Sequence, residues 1–415
     1  MSNMYKTRDV ASGDILSYYS ANSIDNITIP LIKQEISNIV TKPRFRFNIL
    51  NEDETVKEEI PQEDIILGGS YSENYQNGQR RNISLSLFNN TGKYNPSING
   101  IWSGTKFSFD MGLELSSGNT IWFPKGIYVV NSANPSHTAA DKTLSLELGD
   151  KFSILEGADG TLETSYTIPV GMAIDEVVNN ILKFDKGNGS FLDTKSIIYN
   201  EKFKDMKTQA TITKEAGDNF GAIILDLATQ LNAEVFYDTN GNLNFVPIND
   251  VTDDSDKPII YSFFAENGDI ASNSMSFDLS SVINRIIVIG GSSNSETYRA
   301  VSVNDNPASP LCYQRIGYKT ASPINDTNIT SKRLAQERAD YELRQKLILK
   351  SSVSSEIRYN PLLMVNNLIN ITDEFFELKN ESFLLQSISC PIDYSGSMSI
   401  TTSNIKNIPF TIGRR

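Results

Sequence analysis

The sequence is poor in the residues that most enzyme chemistry needs. Its 415 residues include one histidine, His137, and two cysteines, Cys312 and Cys390. A single imidazole and two widely separated thiols exclude the ordinary zinc sites, the two-histidine metalloprotease motifs and Cys/His nucleophile pairs. Two cysteines make no disulfide framework, and their spacing is unlike a CxxC pair, so they read as buried or idle thiols of a reducing compartment. Long hydrophobic runs are also missing. The densest, Ile286-Ile287-Val288-Ile289 and Ala222-Ile223-Ile224-Leu225, fall far short of the roughly 20 apolar residues of a spanning helix. The start, Met1-Ser2-Asn3-Met4-Tyr5-Lys6, leads into polar residues with no apolar stretch of a secretion signal. A soluble protein made in the cytoplasm is expected. Positive charge is short too: 37 Lys and Arg against 50 Asp and Glu leave a net charge of -13, which repels an extended phosphate backbone unless the basic residues are segregated. A dedicated nucleic-acid binder is thereby disfavoured.

What is present is an ordinary globular composition, 39% apolar and 21% charged, in a chain long enough for about three folding units. The first 40 residues are polar and read as an extended arm that docks elsewhere. From Arg44 onward the pattern alternates, in Phe45-Arg46-Phe47-Asn48-Ile49, Ile83-Ser84-Leu85-Ser86-Leu87, Phe107-Ser108-Phe109-Asp110-Met111 and Leu144-Ser145-Leu146-Glu147-Leu148, which gives strands with one buried and one wet face. Residues 41–150 are therefore expected to form a sandwich or barrel. Helical spacing then takes over at Ile174, Val177, Val178, Ile181 and Leu182, and again at Phe220, Ile223, Ile224, Leu227 and Leu231. A hairpin follows, Val235-Phe236-Tyr237 to Leu243-Asn244-Phe245-Val246, with Asn240-Gly241 expected to supply a tight turn. Residues 151–275 thus read as an α+β middle region, and 276–407 as a second β domain with one long helix, from about Ser331 to Lys350. That helix carries a narrow stripe, Ala335, Ala339, Leu343 and Leu347, among charges that suit either a wet face or a polar subunit interface. The fold class expected is α+β, mainly β.

A weak internal repeat links the two β regions. Tyr94-Asn95-Pro96, a strand through Lys106-Phe107-Ser108-Phe109, then Gly126-Ile127-Tyr128-Val129-Val130, Pro135 and Leu144-Ser145-Leu146 have later counterparts. These are Tyr359-Asn360-Pro361, Leu368-Ile369-Asn370-Ile371, Ser382-Phe383-Leu384-Leu385, Pro391 and Met398-Ser399-Ile400. Such a repeat implies two versions of one β domain around the middle region.

The remaining motifs carry little chemistry. Ser136-His137 with Asp141 is the one trace of a Ser/His/Asp set, but a triad is recognised by geometry and sequence neighbours rarely assemble one. Paired carboxylates for glycoside hydrolysis are too numerous to single out. Gly187-Asn188-Gly189-Ser190 has no following Lys-Ser or Lys-Thr and reads as a helix-ending loop. Asp250, Asp253, Asp254 and Asp256 lack EF-hand spacing and read as a solvated connector. Trp102, Trp122 and Phe123 suit either a sugar-stacking platform or core and interface packing. No residue is assigned a catalytic, cofactor-binding or metal-binding role, and no cofactor is expected.

The β text of the first unit includes Arg80-Arg81-Asn82-Ile83-Ser84, Phe88-Asn89-Asn90-Thr91-Gly92-Lys93-Tyr94-Asn95-Pro96 and Gly126-Ile127-Tyr128. Later come Phe236-Tyr237-Asp238-Thr239-Asn240-Gly241-Asn242-Leu243-Asn244-Phe245, Val282-Ile283-Asn284-Arg285 to Ile289-Gly290-Gly291, and the late helix, Asn360-Pro361 and Phe383-Leu384-Leu385-Gln386-Ser387-Ile388-Ser389. In these segments and their order the chain resembles the hub proteins of phage baseplates and related contractile injection machines. The resemblance implies two tube-like β barrels per chain in a homotrimer, whose six barrels adapt a sixfold tail tube to a threefold spike and enclose a channel. It implies a structural protein of the virion tail or baseplate, made in the host cytoplasm. Its partners would be tail tube or distal tail ring proteins, a central spike or tail-tip protein and other baseplate proteins, with DNA present only in passage. An acidic channel lining is expected from the net charge. Because the chain stops at Arg415, lytic or receptor-binding activity is expected on partners. The competing readings are a tail-tip cell-wall hydrolase and a carbohydrate-binding module using Trp102 or Trp122.

Overall fold

The computed structural model describes residues 29–404, apart from 38–40, 97–99, 188, 209–210, 232, 248–258, 278–281, 294–295, 308, 310, 327–328, 330 and 347–350. The polar arm, except for the helix Ile29–Ile36, and the four aspartates at 250, 253, 254 and 256 lie outside the described residues.

A 13-stranded sheet dominates the molecule, as the alternating segments predict for a mainly-β α+β fold. Pro43–Leu50 turns Phe45 and Phe47 inward and leaves Arg44 and Arg46 outside. The same period buries Ile83, Leu85 and Leu87 of Arg81–Phe88 and Leu144, Leu146 and Leu148 of Lys142–Asp150. A period of two against a covered face fixes register, because a one-residue slip would move each of these side chains into water.

The repeat is present in the topology. In the first β unit the strands Arg81–Phe88, Lys106–Glu114, Thr120–His137 and Lys142–Asp150 are ordered first, fourth, third, second across the sheet. Ser351–Arg358, Leu368–Asp373, Leu378–Ile392 and Ser397–Asn404 have the same order in the second unit. The third strand is the long one in each, and each skips a residue against its neighbour, between Val130 and Ser132 and between Leu385 and Ser387. Tyr94 and Tyr359 both sit buried after the first strand. The copies part at the strand flanking the second member, since Pro43–Leu50 pairs antiparallel and Ile259–Phe264 parallel.

Strand Leu378–Ile392 joins the units. Its last residues pair with Ile65–Asn74, from Ser387 opposite Asn74 to Ile392 opposite Gly69. Side chains of both units then fill one core, in which Tyr359 meets the Phe45 ring edge-on at 6.0 Å and donates its hydroxyl to the Gly112 carbonyl at 3.0 Å.

Two smaller lobes are inserted. The middle lobe packs Ile174–Leu182 and Phe220–Leu231 over short strands, and the apolar stripes read from the sequence form its core. Its hairpin turns through five residues, Asp238–Asn242, not through a two-residue turn. Tyr237 opposes Leu243, the Asp238 carboxylate accepts from the Asn240 and Asn242 amides, and Gly241 alone of the pair has positive φ, 75°. The other lobe lies between the strands of the second β unit. Arg285–Ser293, Glu296–Val303 and Ile324–Asn325 form a separate sheet covered by helix Lys332–Lys346. Ala335, Ala339 and Leu343 are buried with Ile286 and Val288, so this part of the narrow stripe is covered within the chain, while Leu347 lies outside the described residues. Strands Ile259–Phe264 and Ile270–Phe277 pair with Leu368–Asp373 and Ser351–Arg358, so a division between residues 275 and 276 falls inside a strand of the second β unit.

Candidate functional site

The face of the large sheet opposite the core is made of small hydroxyl and amide side chains. It crosses eight adjacent strands, from Ile270–Phe277 at one end to Thr120–His137 at the other. Register partners run through Ser274, Ser354, Thr401 and Ser387 on one side of the joint, and through Ser70, Ser84, Glu147 and Ser132 on the other. Neighbouring hydroxyls meet across strands: Ser276 and Ser352 at 2.8 Å, Ser86 and Ser145 at 3.2 Å, Ser354 and Thr401 at 3.4 Å. Ser84 donates to Glu147 at 2.9 Å. The charged residues on this face are Glu147, Glu356 and, at its margin, Arg358, whose guanidinium donates to the carbonyls of Gly268 at 2.8 Å and Ser37 at 3.3 Å. Such a surface has no exposed row of cations for phosphates to displace counterions from, and so no electrostatic grip on nucleic acid.

Beneath this face, buried ion pairs fix the middle lobe in place. The Arg81 guanidinium donates to Glu73 at 2.8 Å under the joint between the β units, and its other arm reaches the Tyr237 carbonyl of the middle lobe at 2.8 Å. Burial alone would raise the Glu73 carboxyl, but Arg81 and Lys125 hold it below its ordinary value. Lys125 itself donates to the Leu363 carbonyl at 2.8 Å, and burial brings its ammonium down to about 8 against the pull of Glu73. Arg80 pairs with Glu234 at 3.1 Å, where Tyr75 also donates. Lys151, fully buried, bridges Glu54 at 2.6 Å and Asp193 at 2.8 Å. Burial works to raise Glu54, yet Lys151, Lys195 and Lys106 together bring it down to about 2. Partnered on this scale, buried charges hold one arrangement of the middle lobe on the sheet, since any other strands a charge in the interior.

The residues singled out in the sequence do not converge. Ser136 and His137 end a strand whose successive side chains point to opposite faces, and Asp141 closes the hairpin through its backbone with Thr138. Ser136 and His137, but not Asp141, border an open groove of about 670 Å³ together with the Asn89–Pro96 turn. Trp102 is 54% exposed in a loop, Trp122 lies under the Arg46 guanidinium at 4.5 Å, and Phe123 is in the core, so no aromatic platform forms. The amides of Gly187 and Gly189 are taken by the Asp185 carboxylate at 2.8 and 3.0 Å, which leaves them no phosphate to bind. Among the described residues no group of His, Cys, Asp and Glu could hold a metal ion, and no helix is long and apolar enough to cross a membrane.

Sequence reasoning missed the hydroxyl face and the buried seam. The first had a signal: serine, not a charged residue, alternates with the apolar positions in Ser84-Leu85-Ser86, Ser352-Val353-Ser354 and Ser397-Met398-Ser399-Ile400-Thr401. The seam had none, because Arg81 and Lys151 look like any surface cation until their partners are known.

No protein-family model matches the sequence, and no curated protein matches it. Solved structures do. The 43 kDa tail protein of prophage MuSo2 from Shewanella oneidensis superposes with a TM-score of 0.55 over 88% of this chain and 98% of its own, at 15% identity. This is the fold of a phage tail protein. The tail protein of Neisseria meningitidis MC58 shares the tail fold over 87% of this chain and 96% of its own, with TM-score 0.55 and 10% identity. A chain of the Francisella PdpA-VgrG complex matches 91% of this chain with TM-score 0.55 and 11% identity, and 60% of that chain is covered. The tail-protein fold thus extends over nearly nine tenths of this chain, at identities too low for any single motif to carry it.

Proposed function

We propose that this protein is a structural hub of a phage-type tail tip or baseplate and acts by assembly, not by catalysis. Three copies form a ring in which two related β units per chain present six similar positions to a sixfold tube, while the threefold symmetry of the chains matches a spike or tip protein. Tail tube, spike and other baseplate proteins are its partners, and the virion tail is its location. The observation that carries this reading is the repeated strand order within one continuous sheet, on a fold shared with phage tail proteins. A heterologous contact repeated around a closed ring needs such quasi-equivalent units.

The hydroxyl face lines the channel in this proposal. The acidic surplus of the sequence is then not concentrated on the lining, which carries Glu147 and Glu356 among serines. DNA passes because nothing along the wall exchanges for its counterions. The test is the mass of the assembled particle together with an image of the ring. A threefold ring whose lumen shows Ser84, Ser354 and Ser399 supports the proposal; a lumen formed by other residues, or clearing of a cell-wall gel by the isolated chain, refutes it.

A further inference from the structure

The joint inside the chain predicts the joint between chains. Within one copy, the end of the long strand Leu378–Ile392 pairs with Ile65–Asn74. The equivalent end of the long strand in the first unit, Ser132–His137, pairs with Lys142–Asp150 on one side only, because its contacts with Lys106–Glu114 stop at Val129. The strand equivalent to Ile65–Asn74 in the second unit is Ile270–Phe277, which pairs with Ser351–Arg358 and ends the hydrogen-bonded path. Among the described residues, each unit therefore leaves unpaired the edge whose counterpart is paired within the chain.

The register of the missing pairing follows from the repeat. Ser132 opposes Glu147, Glu147 opposes Ser84, and Ser84 opposes Ser70. In the second unit Ser387 opposes Thr401, Thr401 opposes Ser354, and Ser354 opposes Ser274. Ser274 thus takes the place of Ser70, whose partner across the joint is Pro391. Counted from the bulges, Ser136 takes the place of Pro391. We propose that Ser132–His137 of one copy pairs antiparallel with Ile270–Phe277 of a second copy, with Ser136 opposite Ser274. This rests on the trimeric reading above and names its interface.

Three observations favour a second copy of this chain as the occupant. The template for the pairing is this chain's own sheet, so the partner strand needs no other source. Ala133 and Met275 are each partly buried at opposite ends of the shared core and would meet on one face of the joint, at the places that Ile388 and Tyr71 take, buried, in the internal one. Asn134, Pro135, Ser136 and His137 are all exposed, so this edge is open to an approaching strand. The new joint also lacks the ionic lock of the internal one, because the positions of Glu73 and Arg81 are taken by Phe277 and Ser351. A joint held by backbone pairing without a buried ion pair suits assembly from separately folded copies.

The test uses the full chain with Ser136→Cys and Ser274→Cys together. Directly opposed residues of an antiparallel pair have Cβ atoms about 4.5–5.5 Å apart, close enough for a disulfide after small shifts. Mild oxidation is expected to give covalent dimers and trimers that reductant reverses. Asn134→Cys with Ser272→Cys, on the same face but out of register, is expected to give none. A chain that is trimeric by native mass yet does not cross-link, or cross-links equally through the out-of-register pair, overturns this interface and leaves the trimer standing. A chain that stays monomeric by mass in every preparation overturns the trimer and the interface with it.

Discussion

Replacing Lys151 with methionine tests whether the seam holds the middle lobe to the sheet. The ammonium has no solvent exposure and sits 2.6 Å from Glu54, 2.8 Å from Asp193 and 2.9 Å from the Gly241 carbonyl. Methionine keeps most of the stem and removes the charge, so lost packing contributes little. Breaking a buried pair by removing one partner costs about 3–5 kcal/mol, since the remaining charge is stranded. Glu54 keeps Lys106 at 3.0 Å and Lys195 at 2.5 Å, and Asp193 keeps the Tyr237 hydroxyl at 2.8 Å, which places the loss at the lower end, about 3 kcal/mol. A cost of that size raises the population of the opened lobe by about a hundredfold. Hydrogen exchange in the hairpin Ala233–Tyr237 to Leu243–Pro247 would read it directly, and the urea midpoint would read its global share. The pH dependence gives a second constraint. Glu54 is held at about 2 in the folded chain, below its ordinary 4.5, so its contribution is complete above pH 4.5 and is lost as the pH falls toward 2. The gap between the parent protein and Lys151→Met is therefore expected to narrow in acid. A variant within about 0.5 kcal/mol of the parent at pH 7, the range of ordinary surface changes, or a gap that widens in acid, would refute the reasoning.

Three further outcomes are expected. A Cβ added at Gly69 would lie 2.3 Å from the Ser84 carbonyl oxygen, so Gly69→Ala should cost about 1–3 kcal/mol in thermal or urea unfolding; an unchanged midpoint would mean that the two strands are free to separate there. Ser84→Lys and Ser399→Lys should alter stability by no more than about 0.5 kcal/mol but make the assembled ring retain DNA in a salt-dependent way, and equal elution of DNA at low and high salt would count against a channel role for this face. Burial pushes the Cys390 thiol up to about 12, so a thiol reagent at pH 8 should label this residue only on unfolding, as mass spectrometry of the labelled peptide would show.

Period alone was enough to read the strands around Phe47, Leu85 and Leu146 and the helices of the middle lobe, because each buries a face against a single core. Where the prediction failed, structure depended on what approached from elsewhere in the chain. The hairpin at Asn240 took a wider turn because the Asp238 carboxylate supplied its amides with an acceptor. For the helix Lys332–Lys346 the sequence left open what meets it, because the strands that bury Ala335 and Ala339 come from a separate segment. The acceptors of Arg81 and Lys151 lie in distant segments, and local pattern does not encode such pairings. The candidate face was legible in principle as an alternation of serine with leucine, isoleucine and valine, but hydroxyls carry no charge or catalytic signature to draw notice.

The joint between the β units also sets an order of events during synthesis. Strand Ile65–Asn74 emerges well before its partner, Ser387–Ile392. On the order of 300 residues separate them, and at about 5–20 residues per second the first unit waits tens of seconds with an open edge. An unpaired edge is a template for unwanted pairing. The irregularity between Ile66 and Ser70, with Gly68 at φ 108°, breaks that edge where it would otherwise run flat. The nascent chain thus has a built-in hazard and a local brake on it, and a ribosome-stalled fragment lacking the last strands should aggregate more readily than the finished protein.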